Sequence, residues 1–196
     1  MINIKVIPLG SYQTNCYLVW GENSDTCVVI DPGFEPETVL LRCKQLGKKI
    51  EAILLTHGHF DHVGGVKEIA EVTGCRVYIC PEELTMPQQW TGGELYYTHT
   101  YSEGSTVELA GLSFRVLHTP GHTPGSVCLM AENVIFSGDT LFQSSCGRTD
   151  LPGGSWNTIT QSLKRLATLE ADYTVYPGHG PATTLNEEKK YNPYMR

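Results

Sequence analysis

Residues 56–62, with the sequence THGHFDH, constrain this chain more than any other segment. Three histidines and one aspartate fall within six consecutive positions, a density of ligand side chains that is typical of a metal site. In an extended segment alternate side chains share a face, so His57 and His59 would bind one ion together. A turn into a helix would direct Asp61 and His62 toward a neighbouring position. The alternative, histidines held only by hydrogen bonds, is usual for a single His but does not explain a cluster.

The residues on either side of this segment predict a strand before it and a helix after it. Residues 50–55 form a short apolar run of the buried-strand type. After the segment, Val66, Ile69 and Ala70 recur at helical spacing before Gly74, a typical helix stop. The cluster is therefore predicted to lie where a strand gives way to a helix.

The size and composition of the chain limit the classes of protein to which it can belong. At 196 residues and 21.7 kDa we expect one domain, residues 1–196. Its 40% hydrophobic and 18% charged residues are typical of a globular protein, and no apolar run approaches the ~20 residues that span a bilayer. We therefore expect no membrane insertion. A net charge of -7 without clustered basic residues argues against nucleic acid as a partner.

We also expect a cytoplasmic protein without a disulfide framework. The first eight residues alternate like a strand and show neither a basic leader nor a cleavage site of small residues. The seven cysteines have no CxxC spacing, and most lie in apolar runs where a buried thiol is ordinary. The sequence does not indicate an oligomeric state.

Three further apolar runs end in residues that bind metals: 112–117 before His118 and His122, 133–136 before Asp139, and 172–176 before His179. A glycine or proline beside each of these residues suits a tight turn that points the side chain across a sheet edge. Other strands are predicted at 4–9, 15–20, 27–30 and 76–80, and helices at 36–47, 66–74 and 156–166, the last capped by Ser155. Strands thus alternate with helices in both halves, which predicts two packed sheets with helices on their outer faces.

The stretch 85–105 follows neither a helical nor a strand period, and it is rich in glutamine, glycine and tyrosine. An irregular stretch of this length inside a compact domain is commonly functional, so it is a candidate wall or lid over the site. The alternative is a structural flap that covers the edge of a sheet.

Four motifs in chain order resemble those of the metallo-β-lactamase superfamily: THGHFDH at 56–62, TPGHTPG at 119–125, SGD at 137–139 and PGHG at 177–180. Within it, CGRTDLPGG at 146–154 is similar to the short, single-domain relatives of glyoxalase II, the hydroxyacylglutathione hydrolases. Persulfide dioxygenases carry a similar GRTD stretch. The motifs together cover nearly the whole chain.

The resemblance implies an α/β fold, an αββα sandwich of two mixed β-sheets with flanking helices, and a metal site at one edge of the sheets. It also implies the ligands: His57, His59 and His122 for one ion, Asp61, His62 and His179 for the other, and Asp139 as the bridge. Asp61 and Asp139 are the carboxylates expected at the catalytic centre. The repeated His-Thr-Pro-Gly leaves His118 as an alternative to His122, but the Gly-His-Thr-x-Gly frame of the family favours His122.

Seven ligands exceed the four that close a tetrahedral structural zinc site, and they fit two ions with room for water. We expect two divalent metal ions, zinc in the first place, with iron or manganese also suited to mixed imidazole and carboxylate ligands. A hydroxide between the ions would be the nucleophile, and the ions would polarise a carbonyl oxygen. A thiolate is a good leaving group that needs little protonation by an acid, so a site with two metal ions and a hydroxide suits thioester hydrolysis.

Several residues outside the ligand set are candidates for supporting roles. Asp31 would either accept a hydrogen bond from a ligand or close an Asx-type turn. Arg148 would bind a substrate carboxylate and Asp150 would orient a ligand histidine, unless each belongs to an internal salt bridge. Cys146 would place a thiol beside the site, or is a buried, inert cysteine. Cations of the segment 189–196 would contact glutathione, although charges of a terminal segment are most often solvated.

The resemblance implies a metal-dependent thioester hydrolase of glyoxalase II type, with S-lactoylglutathione or a related small acyl-thiol as the substrate. The alternative is an iron-dependent persulfide dioxygenase, in which His57, His122 and Asp139 form a 2-His-1-carboxylate triad around one ferrous ion. Hydrolysis of β-lactam antibiotics is not expected, because the chain shows no leader segment and no cysteine at a ligand position.

Overall fold

The computed structural model describes residues 1–196, and its two largest sheets have six strands each. The first sheet contains β1 Ile2–Leu9, β2 Thr14–Gly21, β3 Thr26–Ile30, β4 Lys49–Leu54, β5 Arg76–Ile79 and β6 His99–Thr100. The second contains β7 Thr106–Leu109, β8 Leu112–His118, β9 Val127–Ala131, β10 Val134–Gly138, β13 Thr174–Pro177 and β14 Thr183–Thr184. A separate hairpin consists of β11 Leu141–Phe142 and β12 Ser145–Cys146.

The α-helices are α1 Pro36–Gln45, α2 Phe60–Val63, α3 Val66–Thr73, α4 Gln88–Thr91, α5 Trp156–Ala167 and α6 Leu185–Tyr191, with one 3₁₀ turn at Pro81–Thr85. None of these helices combines the length and the apolar character needed to cross a bilayer. The seven cysteines are free thiols, and only Cys146 among them is partly exposed.

The two sheets pack face to face, and helices cover both outer faces. Side chains of the two inner faces, such as Leu54 and Phe136, form the central cluster of buried apolar residues. The outer face of the first sheet packs against α1 and α3 through Val39 and Ile69, and that of the second packs against α5 through Leu163. Both sheets contain parallel and antiparallel pairs. The predicted αββα sandwich of two mixed sheets is therefore confirmed.

Strands of both sheets end at one common edge of the sandwich. Strands β8 and β10 both run antiparallel to β9, and β10 runs parallel to β13, so these three strands end on the same side. Two hydrogen bonds between backbone groups join this edge to the first sheet: Val127 N donates to Thr56 O (2.9 Å) and Asn15 N donates to Gly178 O (2.7 Å). Residues that follow β4, β8, β10 and β13 consequently meet.

One part of the stretch 85–105 covers a sheet edge, and another part forms a wall of the site. Its end forms β6, which pairs with β5 at the edge of the first sheet. Next to β6, the buried Tyr101 donates its hydroxyl to the carbonyl oxygen of Leu55 (2.5 Å), so this part is a structural cover. Its first half forms α4, which faces the cavity described below.

Helix α5 carries the apolar stripe that the spacing predicts, with one exception. Ile159, Leu163 and Leu166 are fully buried, whereas Trp156 is 54% exposed and packs edge-on against Tyr194. The first turn of α5 lies outside the core, so the periodic pattern overestimates how much of the helix is buried. The cap is as expected, because Ser155 Oγ accepts a hydrogen bond from the backbone of the first turn.

Ser155→Ala is expected to lower the free energy of unfolding by about 1 kcal/mol, because the N–H of Thr158 loses its acceptor. Urea denaturation of the purified chain measures the change. Ser155→Asp is the matched control, since its carboxylate restores an acceptor at the same position. Equal unfolding midpoints for the Ala variant and the wild type would mean that packing alone fixes this helix end.

Candidate metal centre

Every predicted metal ligand lies just beyond the carboxyl end of a strand. After β4 the chain is extended at His59, which has φ -65° and ψ 145°, and then enters the short helix α2. The strands and their ligands are β4 with His57, His59, Asp61 and His62, β8 with His122, β10 with Asp139, and β13 with His179. The common edge of the two sheets therefore gathers ligands that are up to 122 positions apart, since residues 57 and 179 are its extremes.

The first group consists of His57, His59 and His122, whose ligand atoms lie within 4.8 Å of one another. All three side chains are buried. His59 Nδ1 and His122 Nε2 are 2.9 Å apart. This geometry brings the His122 side chain, and not that of His118, into contact with the motif at 56–62; His118 Nε2 instead binds the carbonyl oxygen of Pro124 at 2.9 Å.

The second group consists of Asp61, His62 and His179, again with ligand atoms within 4.8 Å of one another. His62 Nε2 lies 3.3 Å from His179 Nε2, and Asp61 Oδ2 lies 3.2 Å from that same nitrogen of His179. Thr14 Oγ1 donates to Asp61 Oδ2 at 3.2 Å and fixes the carboxylate. The helical turn α2 thus separates the ligands of the second group from those of the first, as the local sequence predicts.

Asp139 lies between the two groups. Its Oδ1 is 3.5 Å from His62 Nε2, and its Oδ2 is 3.6 Å from both His122 Nε2 and His179 Nε2. One carboxylate therefore faces ligands of both groups, an arrangement suited to a bridging position.

The proton positions of three imidazoles follow from their outer hydrogen bonds. Each Nδ1 is bound to an oxygen acceptor of the protein: His122 to Arg148 O (2.8 Å), His62 to Asp31 Oδ2 (3.0 Å) and His179 to Tyr12 O (3.2 Å). Carbonyl and carboxylate oxygens accept hydrogen bonds, so Nδ1 carries the proton in each neutral ring and Nε2 presents a lone pair.

The residues fit a metal ion because their inward-facing acceptors otherwise have nothing to bind. His62 Nε2 and His179 Nε2 face each other, and without a metal ion they can form a hydrogen bond only if one of the two rings is protonated, because two lone pairs cannot. His57 Nε2 and Asp139 Oδ1 are buried without any hydrogen-bond partner. Such groups are costly to bury unless a cation coordinates them. The two clusters are thus suited to a dinuclear metal site, and their ligand types do not fix the identity of the metal.

Burial and neighbouring charges set the protonation of the ligands. Burial lowers the pKa of His57 and His59, the latter to about 4, and the adjacent imidazoles act in the same direction. These rings are therefore neutral, the form that binds metal. Burial also opposes a charge on His62, but the carboxylates of Asp139 and Asp31 outweigh it and raise the pKa of His62 to about 9. The second group consequently favours positive charge.

Asp31 contacts two residues of the motif at 56–62. Its Oδ1 accepts from Thr56 N (2.8 Å), and its Oδ2 accepts from Thr56 Oγ1 (2.5 Å) and binds His62 Nδ1. Thr56 Oγ1 is in turn 3.1 Å from His57 Nδ1. Of the two roles considered for Asp31, the structure has the hydrogen bond to a ligand histidine, and the carboxylate orients one ring directly and another through Thr56.

Arg148 and Asp150 form a salt bridge with each other. Arg148 Nε and Nη2 donate to the two carboxylate oxygens of Asp150 at 2.8 and 2.7 Å, and both side chains are exposed. Asp150 does not bind a ligand histidine; the backbone carbonyl of Arg148 binds His122 instead. The pairing agrees with the salt-bridge alternative. It places a guanidinium beside the site whose positive charge is balanced by the carboxylate of Asp150.

Five of the seven predicted ligands form part of the wall of a cavity of about 460 Å³: His59, Asp61, His122, Asp139 and His179. Aromatic side chains dominate the remainder: Tyr12, Phe60, Trp90 and Phe142. Trp90 comes from α4, so the first half of the stretch 85–105 is a wall, as one of the two interpretations predicts. Cys146 and Arg148 also line the cavity. It is therefore an apolar chamber with ligands on one side and one cation of the protein nearby.

The C-terminal helix α6 supports this cavity from behind. Glu188, only 3% exposed, accepts from Ser144 N (2.8 Å), and Asn192 Nδ2 donates to both Glu188 and Ser145 O (2.8 and 3.0 Å). These bonds hold the hairpin β11–β12, which supplies Phe142 and Cys146 to the wall. Lys189 donates to the carbonyl oxygen of Leu169, and the segment 189–196 is absent from the cavity lining. This segment therefore supports the fold of the wall.

Thr56, Tyr12 and Phe142 are among the supporting residues that were not anticipated from the sequence. Thr56 opens the ligand motif, and a hydroxyl immediately before a ligand histidine was an available signal. Phe142 follows Asp139 by three positions, so its place beside the ligands could also have been anticipated. No local pattern marks Tyr12, which reaches the cavity only because the turn between β1 and β2 lies at the same edge.

Comparisons with known proteins agree with this geometry. The family model described as the metallo-beta-lactamase superfamily matches residues 9–179. Hydroxyacylglutathione hydrolase GloC of Haemophilus influenzae is 34% identical over 209 residues, which cover 99% of this chain and 98% of the relative.

Solved structures resemble the chain over nearly its whole length. BLEG-1 B3 metallo-beta-lactamase has a TM-score of 0.89 and 36% identity, covering 100% of this chain and 99% of that one. TTHA1623 in a di-iron-bound form has a TM-score of 0.84 and 40% identity, with coverage of 97% and 99%. ETHE1 from Myxococcus xanthus has a TM-score of 0.85 and 29% identity, with coverage of 97% and 83%. The matches of motif, ligand geometry and fold agree: the chain belongs to the metallo-beta-lactamase superfamily.

Proposed function

We propose that this chain is a metal-dependent thioester hydrolase of glyoxalase II type, with S-lactoylglutathione or a related small acyl-thiol as its substrate. The observation that carries the proposal is the position of Asp139 between two complete ligand groups in an open cavity. GloC, which is similar to this chain from end to end, is a hydroxyacylglutathione hydrolase, and this supports the same chemistry here.

In this proposal, each ligand group would hold one divalent ion, and Asp139, which faces both groups, would contribute to holding both. Zinc is our first choice, because imidazole and carboxylate are its usual ligands at catalytic sites. The di-iron-bound form of TTHA1623 makes iron the second candidate. Bound divalent ions supply acidified water and polarise carbonyl oxygens, which are the two needs of thioester hydrolysis.

The residues of the chain position the reacting groups. Asp31 and Thr56 fix the imidazole rings of His57 and His62, so that their free nitrogens stay directed inward. The aromatic wall excludes water and packs against the acyl and thiol chains. Burial raises the pKa of Cys146, which therefore remains a thiol, and the proposed reaction requires no cysteine nucleophile.

A persulfide dioxygenase is the alternative, and two observations favour keeping it. The GRTD stretch at 147–150 is similar to one that persulfide dioxygenases carry, and ETHE1 from Myxococcus xanthus resembles the chain with a TM-score of 0.85. His57, His122 and Asp139, the residues of a 2-His-1-carboxylate triad, lie together, with His122 Nε2 3.6 Å from Asp139 Oδ2. This alternative requires one iron per chain and consumption of oxygen, so it differs from the hydrolase in both stoichiometry and product.

The proposal is tested by measuring metal content and turnover in the same preparation. We expect two ions per chain and hydrolysis of S-lactoylglutathione that is lost after chelation and restored by zinc. The substrate panel should include an uncharged acyl-thiol, glutathione persulfide with an oxygen electrode, and a β-lactam, the last because BLEG-1 is a β-lactamase. A full complement of metal with no turnover of any acyl-thiol would overturn the proposal.

Asp139→Ala is expected to weaken the binding of both ions together, because one carboxylate faces both ligand groups. Hydrolysis should fall by at least about 100-fold, since even residues outside the ligand set typically change metal affinity by 10- to 100-fold. Metal analysis after gel filtration measures the loss. His118→Ala is the matched control and should keep both ions, because His118 lies outside the ligand groups. If the Asp139 variant loses only one ion, the carboxylate does not bridge.

Asp150→Asn is expected to lower the KM for a glutathione thioester severalfold, because it releases Arg148 from a bidentate ion pair beside the cavity. The kcat should not change, since such a contact acts equally on the bound substrate and on the transition state. Steady-state kinetics with a glutathione thioester and with an uncharged thioester measure the KM and the kcat separately. Arg148→Gln is the paired variant and should raise the KM for the carboxylate-bearing substrate alone. Parallel changes for both substrates would assign the pair to loop structure.

A further inference from the structure

Glu83 is a buried carboxylate that no ligand role explains. It lies in the 3₁₀ turn Pro81–Thr85 that follows β5, and its side chain is 0% exposed. Glutamate is almost never fully buried unless its oxygens are bound, because desolvating a carboxylate is costly. The partners of Glu83 therefore indicate what this residue does.

Both oxygens of Glu83 bind groups that lie next to metal ligands. Oε2 accepts from the N–H of Gly58 at 2.6 Å, between His57 and His59 in the chain. Oε1 accepts from the hydroxyl of Thr123 (2.5 Å), immediately after His122, and from the N–H of Gly125 (2.7 Å), three positions after His122. One carboxylate thus joins the two separate segments that carry the three histidines of the first group.

The glycines on the two sides show how closely these segments approach Glu83. A Cβ added to Gly58 would lie 2.9 Å from Oε2, and one added to Gly125 would lie 2.8 Å from Oε1. Both values are shorter than real Cβ contacts. A side chain at either position would push its segment away from the carboxylate, so the two segments meet Glu83 through bare backbone.

We infer that Glu83 is a positioning residue that sets the distance between the His57 and His59 segment and the His122 loop. It touches no imidazole and differs in this from Asp31, which binds a ring of the second group directly. The first group therefore has a carboxylate of its own, acting through the backbone. This inference rests on the proposed metal-dependent function only in assuming that the first group binds an ion.

The expected effect of losing Glu83 is confined to one ion. His59 Nδ1 and His122 Nε2 are 2.9 Å apart and belong to different segments, so a small separation of the segments alters their joint coordination. Ligands of the second group have no hydrogen bond to Glu83. Residues that orient ligands without coordinating metal typically contribute 10- to 100-fold to metal affinity, and we expect a change of about that size.

Glu83→Gln is the central variant. An amide has only one acceptor oxygen, so its NH₂ group must face an N–H donor on one of the two sides. Glu51→Gln is the matched control, because Glu51 also accepts three hydrogen bonds, from Thr26, Arg76 and Ala110, but lies at the start of β4, away from the ligands. Both variants should lower the thermal midpoint of the metal-free chain, whereas only the Glu83 variant should affect metal binding.

Titration of the metal-free proteins with cobalt(II), followed by its visible absorption and by chelator competition, gives the decisive measurement. Wild type and Glu51→Gln are expected to bind two equivalents with unchanged affinity, and Glu83→Gln to bind one of them about 10- to 100-fold more weakly. Unchanged affinity for both equivalents in Glu83→Gln, alongside a lowered thermal midpoint, would overturn the inference.

A second pair of variants serves if Glu83→Gln does not fold. Thr123→Val removes one donor to Glu83 while keeping the shape of the side chain, and Thr123→Ser restores the hydroxyl. The Val variant should weaken the same equivalent of cobalt severalfold, and the Ser variant should recover it; equal affinities for both would contradict the inference. Turnover of thioesters by the wild type is measured separately. The cobalt affinities therefore test the role of Glu83 even if the chain does not hydrolyse thioesters.

Discussion

Seven ligand side chains crowd their acceptor atoms into one buried edge, and the rest of the structure depends on keeping them there. His62 Nε2 and His179 Nε2 face each other at 3.3 Å, and His57 Nε2 and Asp139 Oδ1 have no hydrogen-bond partner. Without a metal ion, the first two groups can pair only by holding a proton, and the other two remain desolvated and unpaired, which opposes folding. The two sheets supply the compensating free energy, because each ligand follows a strand whose apolar side chains are buried in the sandwich.

Glycines beside the ligands contribute more than the tight turns that the sequence suggests. A Cβ at Gly178 would lie 2.2 Å from Asp139 Oδ1 and 3.2 Å from the carbonyl carbon of Gly138, and one at Gly138 would lie 2.4 Å from Thr56 Oγ1. The turns that carry ligands therefore touch the backbone and the carboxylates of other such turns. The backbone conformation of each turn explains the direction that the chain takes there. The close contact between turns explains why glycine, which has no side chain, occupies these positions.

The predicted ligands share a pattern that is local in sequence, because each follows an apolar run. Contacts that join distant segments left no such pattern: Glu83 has no neighbouring residue that marks it, yet it binds groups 25 and 42 positions away. The strand β9 was not predicted, although all five of its residues are buried as in β10. The stretch 85–105 could not be assigned to one role, since Trp90 lines the cavity while Tyr101 is part of the core.

The support of the hairpin β11–β12 by helix α6 has a consequence for the order in which the molecule is completed. The bond between Ser144 and Glu188 spans 44 residues, and α6 follows the last ligand, His179, in the chain. During vectorial synthesis on the ribosome, every ligand therefore emerges before the segment that fixes Phe142 and Cys146. A nascent chain that ends just after His179 already has its complete ligand set, but the chamber in which a substrate would be bound is still unfinished.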